Sequence, residues 1–300
     1  MLLELNQIID VNQSWKVFQV GKTSFNFPAG LSTADESSFV FFSDDFFQKK
    51  IDLNSIKWGG CFVSEVVFTA NQLLRLENKT VIIVPDAKIA YAQLYQAVKP
   101  RTTLLEMGGF VSESSIIATS AQISIGAYIG PNCRVGENSI IGPNAVLVSN
   151  VIVGANVTVG PCSVIGESGF GFVRDENNNV ISFPQIGGVV VGDFVEIGAN
   201  TTIDSGALES TIIGAHSKID NLVHIAHNVS LGRRSLVIAG AIICGSVTLG
   251  EDCWIAPGVV IREHLVIGDN VFIGMGSVVT KNLESNSRVF GNPARKLPIK

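Results

Sequence analysis

The chain has 300 residues, 46% of which are hydrophobic, and a formal net charge of −5. This length allows a sizeable core and predicts one repeat domain accompanied by a smaller domain. Charged residues make up only 16% of the chain and the balance is acidic, so we expect no nucleic-acid partner.

The N-terminal segment Met1–Leu5 contains Glu4 and no continuous apolar stretch, which argues against a signal peptide, and no run approaches 18 apolar residues. The cysteines have neither metal-ligand spacing nor the pattern of a disulfide framework: Cys61, Cys133, Cys162, Cys244 and Cys253. We interpret them as reduced packing residues and expect no metal site. A cytoplasmic location is predicted, and peripheral membrane association is compatible with the sequence.

Residues 1–108 are predicted to form a small α/β domain, and nucleotide binding is one of the interpretations that its sequence leaves open. Cys61–Val67 and Val81–Val84 are apolar and predict strands, and Asp86 is the expected N-cap of a helix over Ala87–Val98. The segment Phe39–Phe47 contains five of the 17 phenylalanines. Two interpretations of it stay open: a core strand with a turn, or exposed rings that clamp a flat base.

Residues 109–283 follow a six-residue period, which fits neither a helix nor a simple alternating strand. The period indicates a parallel β-helix in which three hexads form one triangular coil. Twenty-four hexads predict about eight coils. Their inward aliphatic residues are Ile117, Ile123, Ile129, Val135, Ile141, Leu147, Val153, Val159, Ile165, Val191, Ile197, Ile203, Ile213, Ile219, Ile225, Leu231, Val237, Ile243, Leu249, Ile255, Ile261, Ile267, Ile273 and Val279.

Two insertions interrupt the period. One covers about residues 167–188, and the other adds four residues between Ile203 and Ile213. Exposed loops on a rigid scaffold are common places for function. The C-terminal residues 284–300 are expected to be an extended loop over the end of the prism.

Hexad register gives a candidate site. His227 and His264 are predicted on one face, two coils apart, with Gly245 stacked over His227 and Ser205 one coil below it. A backbone N–H next to an imidazole suits acyl transfer, which needs a general base and an oxyanion donor. The same count puts His216 and His224 on other faces. A surface histidine without chemistry stays open as the alternative for His227.

Several motifs together resemble the UDP-3-O-acylglucosamine N-acyltransferases of lipid A synthesis, over nearly the whole chain. They are Gly169–Phe172, Pro184–Gly187, Val195–Asp204, Gly206–Leu208, Ile219–Leu222 and Ile225–Val229. The resemblance implies that the β-helix is left-handed and that the protein is a homotrimer. The low charge and the three-sided prism also favour a homotrimer, with the His227 stack in the cleft between subunits. The resemblance also implies transfer of an acyl group to the amine of a nucleotide-linked amino sugar. The donor would be acyl-acyl carrier protein or acyl-CoA, with no bound cofactor.

The resemblance also assigns roles to individual residues. It makes His227 the general base, Gly245 the oxyanion donor, Asp220 a residue that orients the base, and His264 a residue that helps with the donor. In the N-terminal domain it makes Phe41 and Phe47 the rings of a uracil clamp. Asp44 stands where the family has Asn, and an ionised Asp has no donor for a uracil carbonyl.

Two further departures from the family keep other functions open. Ser205 replaces a usual Arg, and Gly291–Ala294 is an ending typical of acetyl-CoA-dependent hexapeptide enzymes. These favour, as the alternative, an acetyl-CoA-dependent N-acetyltransferase acting on an amino-sugar nucleotide for a surface glycan. The alternative from a different class is a noncatalytic structural solenoid, which predicts no turnover and no dependence on His227.

Overall fold

The structure is a computed structural model and describes residues 2–27, 34–42, 56–70, 78–98, 109–174 and 178–296. The chain divides into two compact units, residues 1–103 and 104–300. Within the described ranges, no helix is both long enough and apolar enough to cross a bilayer.

The first unit combines a mixed sheet with short helices. Its described strands form a four-stranded sheet in the spatial order Lys16–Gln19, Thr80–Val84, Gly60–Ser64 and Phe39–Phe42, and a two-stranded sheet of Leu2–Glu4 and Ser24–Asn26. Its described helices are Leu5–Val11, Glu65–Ala70 and Ala87–Val98. Phe25, Phe39 and Phe62 meet edge to face at ring-centroid distances of 5.0 to 5.2 Å in its core.

The predicted helix Ala87–Val98 is confirmed, and Asp86 caps it. The Asp86 carboxylate accepts the backbone N–H groups of Lys88 and Ile89, each at 2.9 Å. The predicted strand over Cys61–Val67 is wrong at its C-terminal end. The strand stops at Ser64 because the Ser64 hydroxyl accepts the Val67 N–H at 3.3 Å and a helix begins at Glu65.

The second unit is a parallel β-solenoid, as the six-residue period predicts. Each coil contributes a short strand to each of three faces, and the second residue of most strands is a buried aliphatic side chain. Asparagines at the corners take left-handed backbone conformations, as at Asn144 with φ 56° and Asn156 with φ 57°. Asn tolerates this region better than most residues, which explains its recurrence at this hexad position. The left hand of the coil stays a prediction.

In the described part of the chain the faces contain nine, eight and ten strands. The nine-stranded face comprises Phe110–Val111, Tyr128–Ile129, Val146–Leu147, Val164–Ser168, Thr202–Ser205, His224–Ile225, Ile242–Ile243, Val260–Ile261 and Val278–Val279. The eight-stranded face comprises Ile116–Ile117, Arg134–Val135, Val151–Val153, Val189–Val191, Thr211–Ile213, Ser230–Leu231, Thr248–Leu249 and Val266–Ile267. The ten-stranded face comprises Gln122–Ile123, Ile140–Ile141, Thr158–Val159, Glu196–Ile197, Lys218–Ile219, Leu236–Val237, Trp254–Ile255, Phe272–Ile273, Arg288–Phe290 and Arg295–Lys296.

The solenoid is therefore slightly longer than the eight predicted coils, because pairing extends beyond both ends of the counted repeat. Phe110–Val111 pairs with Tyr128–Ile129 ahead of the first counted hexad. The C-terminal segment is not only a loop, since Arg288–Phe290 pairs in parallel with Phe272–Ile273 and Arg295–Lys296 pairs back onto it. Val289 is buried and closes this end of the core.

The larger insertion forms an antiparallel hairpin of Phe172–Arg174 and Val180–Ser182 that projects from the solenoid. All five cysteines are free, and Cys61, Cys133 and Cys253 are buried as predicted for packing residues. Cys162 differs: it is exposed because it occupies a corner position with φ 59°.

Candidate active site

His227 lies at the corner that follows the strand His224–Ile225. The backbone N–H of Ser246 donates to the His227 carbonyl at 2.9 Å, and the N–H of His264 donates to the Gly245 carbonyl at 3.0 Å. Ile203 pairs with Ile225, so Ser205 is in register with His227 one coil away. The structure thus stacks Gly245 over His227 and puts His264 at the same corner one coil further on, in register with Ser246. The chemical roles of these residues stay predictions.

The His227 side chain is wedged between two glycines. A Cβ atom added at Gly245 would lie 2.8 Å from both Nε2 and Cε1 of the imidazole, and one added at Gly169 would lie 2.5 Å from His227 Cβ. Side-chain atoms do not approach this closely, so alanine at either position would displace the His227 side chain. Because Gly169 precedes the hairpin, the larger insertion folds back onto His227.

The tautomer of His227 can be assigned from its hydrogen bonds. Nδ1 lies 3.0 Å from Asn228 Oδ1, and the same Oδ1 accepts the backbone N–H of Ala207 at 3.1 Å. The Ala207 donor identifies this Asn228 atom as the oxygen, so Nδ1 must carry the imidazole proton. In the neutral imidazole the lone pair is therefore on Nε2, and this atom faces Gly245. A neutral imidazole held this way is suited to act as a general base.

The backbone of Gly245 has an unused donor. Its carbonyl accepts the His264 N–H, whereas no acceptor within the described ranges receives the Gly245 N–H. An N–H group next to the basic nitrogen of His227 is the type of donor that stabilises an oxyanion. The His264 side chain is exposed.

Within the chain, Asp220 lies at a different corner from His227, and its role in orienting this base stays a prediction. Its carboxylate accepts the Asn221 N–H at 2.7 Å and the Ala239 N–H at 3.2 Å. It follows the strand Lys218–Ile219 on the ten-stranded face, whereas His227 follows a strand of the nine-stranded face. The two residues therefore occupy different corners of the same coil.

The carboxylate beside the histidines is Asp204. Its Oδ2 atom lies 3.8 Å from Nε2 of His224, and its side chain is only 13% exposed. Burial raises the pKa of Asp204, while His224 and His227 lower it and the nearby Glu167 raises it. Sequence reasoning did not single out this residue.

His224 is close to the site rather than on a remote face, which corrects the prediction from hexad counting. Its strand pairs with Thr202–Ser205, and Thr202 Oγ1 lies 2.8 Å from His224 Nδ1. The four-residue insertion extends the Thr202 strand towards the corner and places Asp204 beside both histidines. The spacing of 22 residues between Thr202 and His224 is the signal in the sequence that could have revealed this pairing.

A cavity of about 560 Å³ opens between the hairpin and this corner. Aromatic and small residues of the insertion form one wall, and Asp204 and His224 form the other. Its lining is Ser168, Gly169, Phe170, Gly171, Phe172, Ser182, Phe183, Pro184, Gln185, Asp204 and His224. The cavity thus has an aromatic side and a polar side, and through Gly169 it adjoins His227.

Ser205, which replaces the arginine usual in the resembled family, fixes the base of the insertion. Its buried hydroxyl accepts the Gly188 N–H at 2.9 Å and lies 3.3 Å from the Gln185 carbonyl. The side chain is turned into the fold, so it does not contribute to the polar wall of the cavity.

The proposed base clamp is only partly described. Phe41 is half-buried and packs against Tyr91 with ring centroids 4.9 Å apart. Phe47 and Asp44 lie outside the described residues. The clamp therefore stays a prediction.

Comparison with known proteins supports the assignment of the repeat. The family model for the bacterial transferase hexapeptide (six repeats) matches residues 114–148, 134–167 and 246–281, and that for the hexapeptide repeat of succinyl-transferase matches residues 228–263. A structure of LpxA from Acinetobacter baumannii aligns with 63% of the chain and 71% of its own length, at a TM-score of 0.58 and 21% identity. That similarity supports the fold alone.

Two curated relatives are similar in sequence over a shorter stretch. The UDP-3-O-acylglucosamine N-acyltransferases of Coxiella burnetii and Dechloromonas aromatica are 51% and 55% identical to the chain over 84 residues, which is 28% of this chain. The match spans about a quarter of the relatives' own length, 25% and 24%. Residues 114–167 and 228–281 of the solenoid are therefore similar to bacterial transferase hexapeptide repeats, and a stretch of 84 residues is similar to UDP-3-O-acylglucosamine N-acyltransferases.

Proposed function

We propose that the protein is an N-acyltransferase that moves an acyl group from a thioester to the amine of a nucleotide-linked amino sugar, as in lipid A biosynthesis. The observation that carries the proposal is the position of Nε2 of His227 beside the backbone of Gly245. The names of the homologous proteins supply the substrate class.

The reaction follows from this geometry. The acceptor nitrogen attacks the thioester carbon, and Nε2 of His227 takes the proton that the nitrogen loses as the C–N bond forms. The carbonyl oxygen becomes negatively charged and accepts the Gly245 N–H. The C–S bond then breaks, and the departing thiolate takes the proton from the imidazolium. The products are an amide and a free thiol.

The proposal includes a homotrimer. The outer surface of the nine-stranded face is apolar: Phe110 is 58% exposed, Tyr128 40% and Ile242 40%. An apolar surface of this kind is typical of an interface, and a three-sided prism packs well in a closed three-fold ring. In such a ring Asp220 of a neighbouring subunit is the candidate to approach His227, since it does not do so within the chain.

The donor in this proposal is a thioester of acyl carrier protein or of coenzyme A. No bound cofactor takes part in the chemistry described. Free cysteines fit a reducing compartment, so we also propose a cytoplasmic location.

The test is an assay of the purified protein with UDP-3-O-acylglucosamine as acceptor and either acyl-acyl carrier protein or acyl-CoA as donor. Thiol release and amide formation are measured together. We expect both to proceed at equal rates with one of the two donors. Turnover with acetyl-CoA alone would support an acetyltransferase instead, and the absence of turnover with every thioester would favour a noncatalytic solenoid.

A further inference from the structure

Asp204 is a carboxylate without a hydrogen-bond donor at the wall of a cavity. Its side chain is 13% exposed, and within the described ranges no residue donates a hydrogen bond to it. The closest charged partner is His224, at 3.8 Å. Because a carboxylate removed from water is costly unless it is paired, this arrangement leaves a place for a donor from a ligand.

A second acceptor on the same cavity lacks a donor. The side-chain Oε1 of Gln185 is buried and has no hydrogen-bond partner, while its Nε2 lies 3.4 Å from the Phe183 carbonyl. Gly171 holds the amide closely, since a Cβ atom there would lie 2.4 Å from Gln185 Nε2. Two unsatisfied oxygens favour a ligand group that carries several N–H donors, and one of these oxygens is negatively charged.

Asp204 lies both at the wall of the cavity and close to His227, the proposed general base. Ile203 pairs with Ile225, so Asp204 lies one residue before the point in register with His227. The charged or titratable groups that act on Asp204 are His224, His227 and Glu167. Glu167 is exposed and does not line the cavity. A cation that binds to Asp204 thus lies next to the proposed general base.

From these observations we infer that Asp204, assisted by the Oε1 of Gln185, binds the protonated amino group of the acceptor sugar. This inference rests on the proposed function and identifies where its acceptor nitrogen is held. The ammonium group donates N–H bonds to the two oxygens, and it loses one proton to solvent before the reaction. The neutral nitrogen is then able to attack the thioester, and Nε2 of His227 takes its next proton as the C–N bond forms. The aromatic wall of Phe170, Phe172 and Phe183 receives the apolar part of the same ligand.

The experiment compares binding of two nucleotides to the full chain by isothermal titration calorimetry. One is UDP-3-O-acylglucosamine, and the other is its N-acetylated counterpart, which has no charge on nitrogen. Asp204→Asn keeps the shape of the side chain, and Glu167→Gln is the matched control because it removes a neighbouring charge outside the cavity. We expect Asp204→Asn to weaken binding of the amine roughly 10- to 100-fold and to leave binding of the N-acetyl compound within about twofold. Glu167→Gln should change neither by more than about twofold.

Other results would overturn the inference. Equal weakening of both ligands by Asp204→Asn would indicate a structural role, and unchanged binding of both would show that the amine is held elsewhere. Gln185→Met provides a second variant in case Asp204→Asn does not fold, and it should weaken amine binding roughly three- to tenfold. Failure of the proposed function has a different readout: a protein that binds the amine through Asp204 but turns over no thioester would contradict the acyltransferase and leave the amine site intact.

Discussion

The substitution Gly245→Ala adds one methyl group next to His227, and we expect it to lower the activity while the protein stays folded. The backbone φ of Gly245 lies outside the left-handed region, so alanine is compatible with it. The new Cβ atom would lie 2.8 Å from Nε2 and Cε1 of His227, whereas ordinary van der Waals contact begins near 3.4 Å. The imidazole must therefore move by about 0.6 Å, and displacements of about 1 Å can cost on the order of 10²-fold in rate.

We therefore expect Gly245→Ala to reduce kcat by about 10- to 100-fold, with a thermal unfolding midpoint close to that of the wild type. The measurement is the initial rate of thiol release at saturating acceptor, together with a thermal melt. Gly240→Ala is the matched control: its Cβ atom meets nothing within 4 Å, but its φ of +69° disfavours alanine. This control should lose about 1 kcal/mol of stability and keep its activity. Full activity of Gly245→Ala would refute the inferred contact between His227 and Gly245.

Three further outcomes are expected. His224→Ala should lower kcat/KM by about 5- to 50-fold, because it removes the imidazole that lies 3.8 Å from Asp204. The control is His216→Ala, since His216 lies at an exposed corner and stacks on Phe194; its kcat/KM should stay within about twofold of the wild type. Asp204→Asn should raise the thermal unfolding midpoint at neutral pH, because burial raises the pKa of this carboxyl above its ordinary value of 3.8 and its ionised form destabilises the folded state. The higher melting midpoint of Asp204→Asn should disappear at pH values below 3.8, where the Asp204 carboxyl is neutral like the Asn side chain. A difference in midpoint that is the same at both pH values would contradict this prediction. Light scattering at micromolar concentration should give the mass of three chains, and a monomer would contradict a site shared between subunits.

The repeat made the solenoid predictable because its period directly reflects packing. An aliphatic residue every six positions is needed to fill each side of a triangular coil, and a residue such as Asn144 at φ 56° turns the corner. The helix Ala87–Val98 was predictable for a similarly local reason, since Asp86 supplies the cap. The strand end at Ser64 was not, because Cys61–Val67 is apolar throughout and only a side-chain hydrogen bond ends the strand.

The site was less predictable because it depends on where the insertions fold. Hexad counting identified the column of His227 and Gly245, which lies within an uninterrupted stretch of the repeat. It misplaced His224 because a flat strand and the corner that follows it were treated as separate faces. It missed Asp204 because the four-residue insertion extends that strand, and it missed the packing of Gly169 on His227 because the hairpin folds back by tertiary contacts alone.

The measurement that tests the central claim most directly is the rate of acyl transfer by His227→Ala beside His216→Ala. Both variants remove one imidazole from the surface of the solenoid, but only His227 has its Nε2 facing Gly245. We expect His227→Ala to lower kcat by about 10² to 10⁴, the usual contribution of a general base, with an acceptor KM and melting temperature near those of the wild type. His216→Ala should retain full activity. A His227→Ala protein that transfers acyl groups at the wild-type rate would contradict the assignment of this histidine as the base.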